Sequence, residues 1–195
     1  MHKNKSLRYK KKNSVQPVFY HKSDKENEIK AGGVVFYFYD KKEHELKFLM
    51  IKNRNKYEDF GGKTDKKDSC IEETISREVE EESNSIFSQS KTLERIKKKQ
   101  PLYTPNSKYL LYFCRLKKSE HFNPIIFGDK EIYENIPRTV EWVSYHQLKN
   151  SKFIKENLSY RLRFKHFFEK INTLNEFYKI KYPKQIEPEV NSASV

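Results

Sequence analysis

Residues 77 to 82, Arg-Glu-Val-Glu-Glu-Glu, crowd negative charge onto the end of an expected helix. On a helix, positions i, i+3 and i+4 are neighbours, so Glu78, Glu81 and Glu82 converge on one point. At about 100° per residue, Glu78 and Glu82 fall in the same arc as Ile71 and Ile75, the side such a helix buries. An unpaired charge is costly to bury, and like charges at these spacings repel by a few tenths of a kcal/mol per pair. Glu80 adds to the load near a helix C-terminus, whose dipole already disfavours anions. Local rules broken together mark a functional site. A divalent cation held by oxygen ligands resolves the conflict; Mg2+ suits it, because it favours carboxylates together with substrate phosphates. The plainer alternative is a solvated acidic face.

The elements that must position these acids are legible around them. Ser69 and Glu72 have the S-x-x-E spacing of a capping box, which starts the helix near Cys70. Ile71, Ile75 and Val79 supply its apolar stripe. Residues 57 to 60 read as a short strand that runs into Gly61-Gly62, and a charged loop leads from there to the helix. Arg77 is rich in donors and suited to orienting the carboxylates, or else to pairing with Glu73 or Glu81 at i,i+4.

From Gly62 to Ile86 this stretch resembles the Nudix box: a glycine, five residues, an acid, seven residues, then R-E-aliphatic-x-E-E-x-G. Asp68 stands where the family usually has Glu, and eight residues rather than seven separate it from Arg77. Asn84 replaces the final glycine, and Asn is the next-best residue for a left-handed helix cap. Ser85 takes the last aliphatic position, with Ile86 expected to do the packing. The resemblance implies an α/β fold, an α/β/α sandwich with a central mixed β-sheet. It also implies metal ligation by Glu78, Glu81, Glu82 and the backbone carbonyl of Gly62. Glu78 or Glu81 would act as base, with Arg77 orienting the acids. Family members often add a carboxylate from the loop before the last strand, where Glu134 is favoured over Glu131. The cofactor would be Mg2+, with Mn2+ as a substitute.

By the same resemblance, the activity is hydrolysis of a phosphoanhydride bond in a nucleoside diphosphate linked to another moiety. An mRNA-decapping hydrolase and a catalytically inactive RNA-binding module of the same fold are the other readings. Lys63, Lys66 and Lys67 lie where phosphates would arrive, or else are ordinary solvated loop lysines. Trp142, Tyr103 and Tyr109 are either base-stacking residues or core, and Glu141 reads as structural.

A formal net charge of +13 on 195 residues favours a polyanionic partner such as RNA beside the nucleotide substrate. Abundant Lys, Asn, Ile, Phe and Tyr beside only Ala31 and Ala193 also fit A/T-rich codons, which supply lysine whatever the partner. Cys70 and Cys114 are too few for a disulfide framework, and no apolar run is long enough to span a membrane. A cytoplasmic location is expected.

Along the chain, residues 1–30 read as a basic, disordered arm, 31–150 as the Nudix hydrolase domain, 151–182 as a helical region packed on it and 183–195 as a disordered tail. Strands are expected at 31 to 39, 46 to 51 and 108 to 116, where β-branched and aromatic residues concentrate. Residues 121 to 138 read as loop, and 139 to 148 as a strand turning into a helix. Apolar residues recur at helical spacing through 153 to 178. There is no internal repeat and no zinc-type Cys/His cluster.

Overall fold

A computed structural model describes residues 16–21 and 24–183 of the chain. Its first elements are a short antiparallel pair, β1 (Phe19–His21) with β2 (Asp24–Ile29). The expectation of a disordered arm over residues 1–30 is therefore corrected for this part. Ile29 is buried in the core and ties the pair down. Residues 1–15 of the arm, and the expected tail from 184 onward, lie outside the described residues.

The central sheet has seven strands, and β3 (Ala31–Asp40) is its axis. Along one edge β3 runs parallel to β8 (Tyr109–Arg115). Its other edge is shared. The N-terminal half pairs with β6 (Phe60–Lys63) and the C-terminal half with β4 (Glu45–Asn53), both antiparallel. β5 (Lys56–Glu58) returns from β4 through Arg54 and Asn55, both at positive φ as a tight hairpin turn requires. β7 (Leu102–Thr104) extends the sheet beyond β8, and β9 (Thr139–Ser144) pairs with β4. The sheet is mixed, as expected.

Side chains alternate between two buried faces, so the strands read as continuous apolar runs. Val34, Phe36 and Leu49 face α1 (Ile71–Glu82) and α2 (Gln89–Lys97). Val35, Phe48 and Met50 face the opposite layer, made by α3 (Tyr145–Lys149), α4 (Ser151–Asn157) and α5 (Lys165–Lys181). The result is the expected α/β/α sandwich. Ile71, Ile75 and Val79 are at most 1% exposed, so the stripe on α1 is fully used.

Other elements depart from the sequence reading. The helical spacing over 153 to 178 covers two helices, separated by a short 3-10 turn at Tyr160–Leu162. Leu158 bridges to Tyr57 at the sheet, and Leu162 is fully buried, so packing breaks the helix there. α2 also forms inside the polar segment after Ile86, with Thr92 and Ile96 buried against the sheet face. Cys70 and Cys114 are free thiols. Among the described residues no helix is long and apolar enough to cross a membrane.

Candidate active site

The helix that carries the acids begins at Ile71 with Cys70 as its N-cap. The capping box differs in detail from the expected one: the Ser69 backbone N–H and hydroxyl both donate to Glu73, at 2.9 and 2.7 Å, and not to Glu72. A glutamate one residue later reaches back equally well, because the turn at Ser69 lies outside the helix proper.

β6 lies alongside β3, with Gly61 opposite Gly33 and Gly62 opposite Gly32, and α1 packs directly over it. A Cβ on Gly62 would collide with the Glu78 carboxylate, so only glycine lets that acid lie against the strand backbone. The Gly61 N–H donates to Glu82 Oε2 at 2.5 Å. The two glycines thus touch the two acids that the helical arc turns inward.

Arg77 links the remaining groups. Its Nε and Nη2 bind both oxygens of Asp68, at 2.9 and 3.0 Å, a bidentate pair. Its Nη1 lies 2.8 Å from Glu78 Oε1 and 2.8 Å from Glu81 Oε2. Nη2 also reaches the carbonyl of Lys63. Asp68 in turn accepts from the Asp65 N–H and the Thr74 hydroxyl, each at 2.8 Å. Burial alone would raise the Asp68 pKa, but the hydrogen bonds from Arg77, Asp65 and Thr74 hold it below the ordinary carboxylate value.

Charge in the site is unevenly compensated. Burial raises the Glu78 pKa against the opposing pull of Arg77. Burial pushes Glu82 higher still, well above its ordinary value, opposed by the Arg161 charge and the Gly61 N–H. Glu81 is more open, and Lys67 Nζ stands 3.6 Å from its Oε1. A depression of about 370 Å3 lies over this side of the helix, lined by Lys67, Asp68, Arg77, Glu81 and Tyr133 among others.

Asn84 ends the helix and holds the neighbouring loop. Its φ is +51°, and Asn84 N–H and Ser85 N–H donate to the carbonyls of Glu81 and Glu80, as in a Schellman cap. Its side chain donates to the carbonyls of Phe127 and Lys130 and accepts from the Ile132 N–H. Arg138 completes the closure by donating to the Glu82 carbonyl at 2.6 Å, a cation at the negative end of the helix dipole. The pinned loop brings Glu131 and Glu134 toward the helix acids. Glu131 is buried, and burial, then Glu134 and Glu81, raise its pKa. Glu134 is exposed and within electrostatic reach of Glu78. Aliphatic packing past the cap is shared, with Ile86 partly buried and Phe87 buried.

The donor set fits a hard cation in chemistry: carboxylates, a backbone carbonyl at Gly62, and half-buried acids whose charge is only partly met. The side chains as placed do not form a ligand cage. Among the described residues no group of three His, Cys, Asp or Glu side chains is arranged to hold a metal ion. Arg77 Nη1 bridges Glu78 and Glu81, and Glu82 is turned to Gly61 N–H.

Several residues have other duties. Tyr109 is buried and donates to Asp59 at 2.6 Å. Trp142 donates its indole N–H to the Phe122 carbonyl and meets Phe38 edge-on. Tyr103 donates to the Glu28 carbonyl, and Glu141 binds Tyr57 and Lys52. Lys63 and Lys66 are exposed. Sequence reasoning missed Asp59 and Arg161. Asp59 is fully buried under the glycine strand, and Arg161, arriving from the turn after α4, binds its carboxylate at 2.8 Å and its carbonyl at 3.0 Å. The acidic pair Glu58-Asp59 immediately before Phe60-Gly61-Gly62 was the available signal for Asp59; nothing local marks Arg161.

No protein-family model matches the chain, and no curated protein is similar to it. A solved structure, a MutT/nudix family protein from Enterococcus faecalis, is similar over 67% of this chain, with a TM-score of 0.41 and 22% identity. The chain spans 47% of that protein's length.

Proposed function

We propose that this chain is a Nudix-type pyrophosphohydrolase, Mg2+-dependent with Mn2+ as a substitute, that cleaves a phosphoanhydride bond in a nucleoside diphosphate linked to another moiety. The observation that carries the reading is the seating of Glu78 and Glu82 against Gly62 and Gly61. Two half-buried acids meet a glycine strand at the point where an oxygen-ligated cation would complete their charge.

Glu78, Glu81, Glu82 and the Gly62 carbonyl would hold the metal. Bound there, it supplies charge neutralisation on phosphate oxygens and a lowered pKa for water. The chain's own residues do the rest. Asp68 fixes Arg77, and Arg77 orients the Glu78 and Glu81 carboxylates. Glu78 or Glu81 takes the proton of the attacking water. Asn84 and Arg138 fix the loop that carries Glu134, a further carboxylate for the site. Lys67, exposed beside Glu81, is placed to receive substrate phosphate.

An mRNA-decapping version is the second reading, because capped RNA is itself such a nucleoside diphosphate derivative and the chain carries +13. The inactive-module reading is weaker: a copy without activity has no reason to keep so unfavourable a set of acids. The test is a Mg2+-dependent hydrolysis panel spanning free nucleotides, dinucleoside polyphosphates, sugar nucleotides and capped RNA. Turnover of one class supports the reading; no turnover of any, with folded protein and either metal, overturns it.

A further inference from the structure

The larger cavity lies elsewhere. It has a volume of about 830 Å3, formed where β3 and β8 end: Phe38, Tyr39 and Asp40 on one side, Arg115 and Lys117 on the other, with His121 and Tyr182 closing it. Gly32 and Gly33 mark the box end of β3, so at about 3.3 Å per residue this cavity is roughly 20 Å away. It is separate from the depression over Arg77.

Lys41, Lys42, Arg115, Lys117 and Lys118 ring it, and among the described residues none has a carboxylate within 4.0 Å. On the same sheet, Lys47 is answered by Glu45 and Lys52 by Glu141. The one acid of the lining, Asp40, is spent on its own turn, accepting from the N–H groups of Lys42 and Glu43. Glu120, which feels the Lys117 charge, is bound to Arg95. Cations gathered around a concavity without counter-charge repel one another, which favours an anionic occupant.

The cavity also offers rings. His121 is exposed and stacks on Phe38 with centroids 3.8 Å apart, which leaves its other face for a ligand. Tyr182 stacks on Tyr39, and Lys41 sits 4.2 Å above it. Cations that track a phosphate backbone, interleaved with rings on which bases stack, are the recognition chemistry of single-stranded nucleic acid. The volume is in the range of about 300–1,000 Å3 in which small-ligand pockets hold a nucleotide-sized unit.

We propose that this cavity is a binding site for single-stranded RNA, with phosphates on the lysines and Arg115 and a base on His121. Binding here is measured without turnover, so its failure is distinct from failure of the hydrolase reading.

The experiment is fluorescence-anisotropy titration of the full chain with a labelled oligouridine over a range of salt. The variant in which Lys41, Lys42, Lys117 and Lys118 become Ala is compared with one in which Lys91, Lys97, Lys98 and Lys99 on and after α2 become Ala. The cavity variant is expected to lose about tenfold or more in affinity, and its log–log salt slope to shrink by about 2–3, at roughly 0.7 per lost phosphate contact. His121→Ala should lose about fivefold or more on RNA, as expected when a base loses its ring, and nothing on inorganic polyphosphate. If both lysine variants lose equally, binding is diffuse and the site is refuted. If polyphosphate binds as tightly as RNA, or His121→Ala weakens both alike, base recognition is refuted. Lys-to-Arg replacement at the same positions should restore binding; its failure to do so would mean that the alanine losses came from altered packing.

Discussion

Asp68 binds Arg77 through both carboxylate oxygens, at 2.9 and 3.0 Å, and leaves the third guanidinium nitrogen to bridge Glu78 and Glu81. Asp68 is the acid separated from the arginine by eight residues rather than seven. The extra residue is absorbed in the loop, because the Asp65 N–H and the Thr74 hydroxyl turn the carboxylate back onto the helix. Asp68→Asn should therefore cost about 2 kcal/mol by removing a charge-assisted pair, and should lower activity by loosening Arg77.

The same pair gives a signed pH dependence. The folded pKa of Asp68 lies below its unfolded value. Its stabilisation is thus full above the unfolded pKa of about 4 and is lost as pH falls through the folded one. Thermal melts should show wild type losing stability below about pH 4 more steeply than Asp68→Asn. Parallel curves would refute the link.

Asn84 has two separable roles. Asn84→Gly keeps the left-handed cap but drops the bonds to Phe127, Lys130 and Ile132. Asn84→Ala loses those bonds and adds roughly 1 kcal/mol of backbone strain at positive φ. The expected order of melting temperature is wild type, then Gly, then Ala. Activity should fall in both, because the loop carrying Glu134 is freed. A Gly variant less stable than the Ala variant would contradict this account.

Much of this site was legible in sequence because its parts are local: a glycine pair, a capped amphipathic helix, and acids at i, i+3 and i+4. The strands themselves were marked by β-branched and aromatic residues, while their mixed pairing was expected only through the resemblance to the Nudix box. What was not legible depends on distant contacts. Leu158 and Leu162 break a helical pattern because the sheet needs them, and Arg161 reaches Asp59 across a hundred residues of chain. The cavity at the end of β3 joins Lys41, Arg115 and Tyr182, which no sequence window contains together.

Arg161 should be indispensable to the fold near the glycine strand. Arg161→Met leaves Asp59 buried and short of its cation, and should cost about 3–5 kcal/mol. Converting Asp59 to Asn in the same chain should recover part of that loss, since the uncompensated charge is gone. A double variant no better than the single one would show that Arg161 acts through packing alone.

The most direct test of the central claim is Mg2+-dependent hydrolysis by wild type and Glu81→Gln, followed by phosphorus NMR on one substrate from the panel. Glu81 accepts from Arg77 Nη1 and sits among like charges, so in the Gln variant the weakened charge-assisted bond is offset by relieved repulsion and the protein should stay folded. The account predicts turnover by wild type and a loss of at least about a hundredfold in the folded Gln variant, worth roughly 2.7 kcal/mol. Wild-type rates in Glu81→Gln would contradict it.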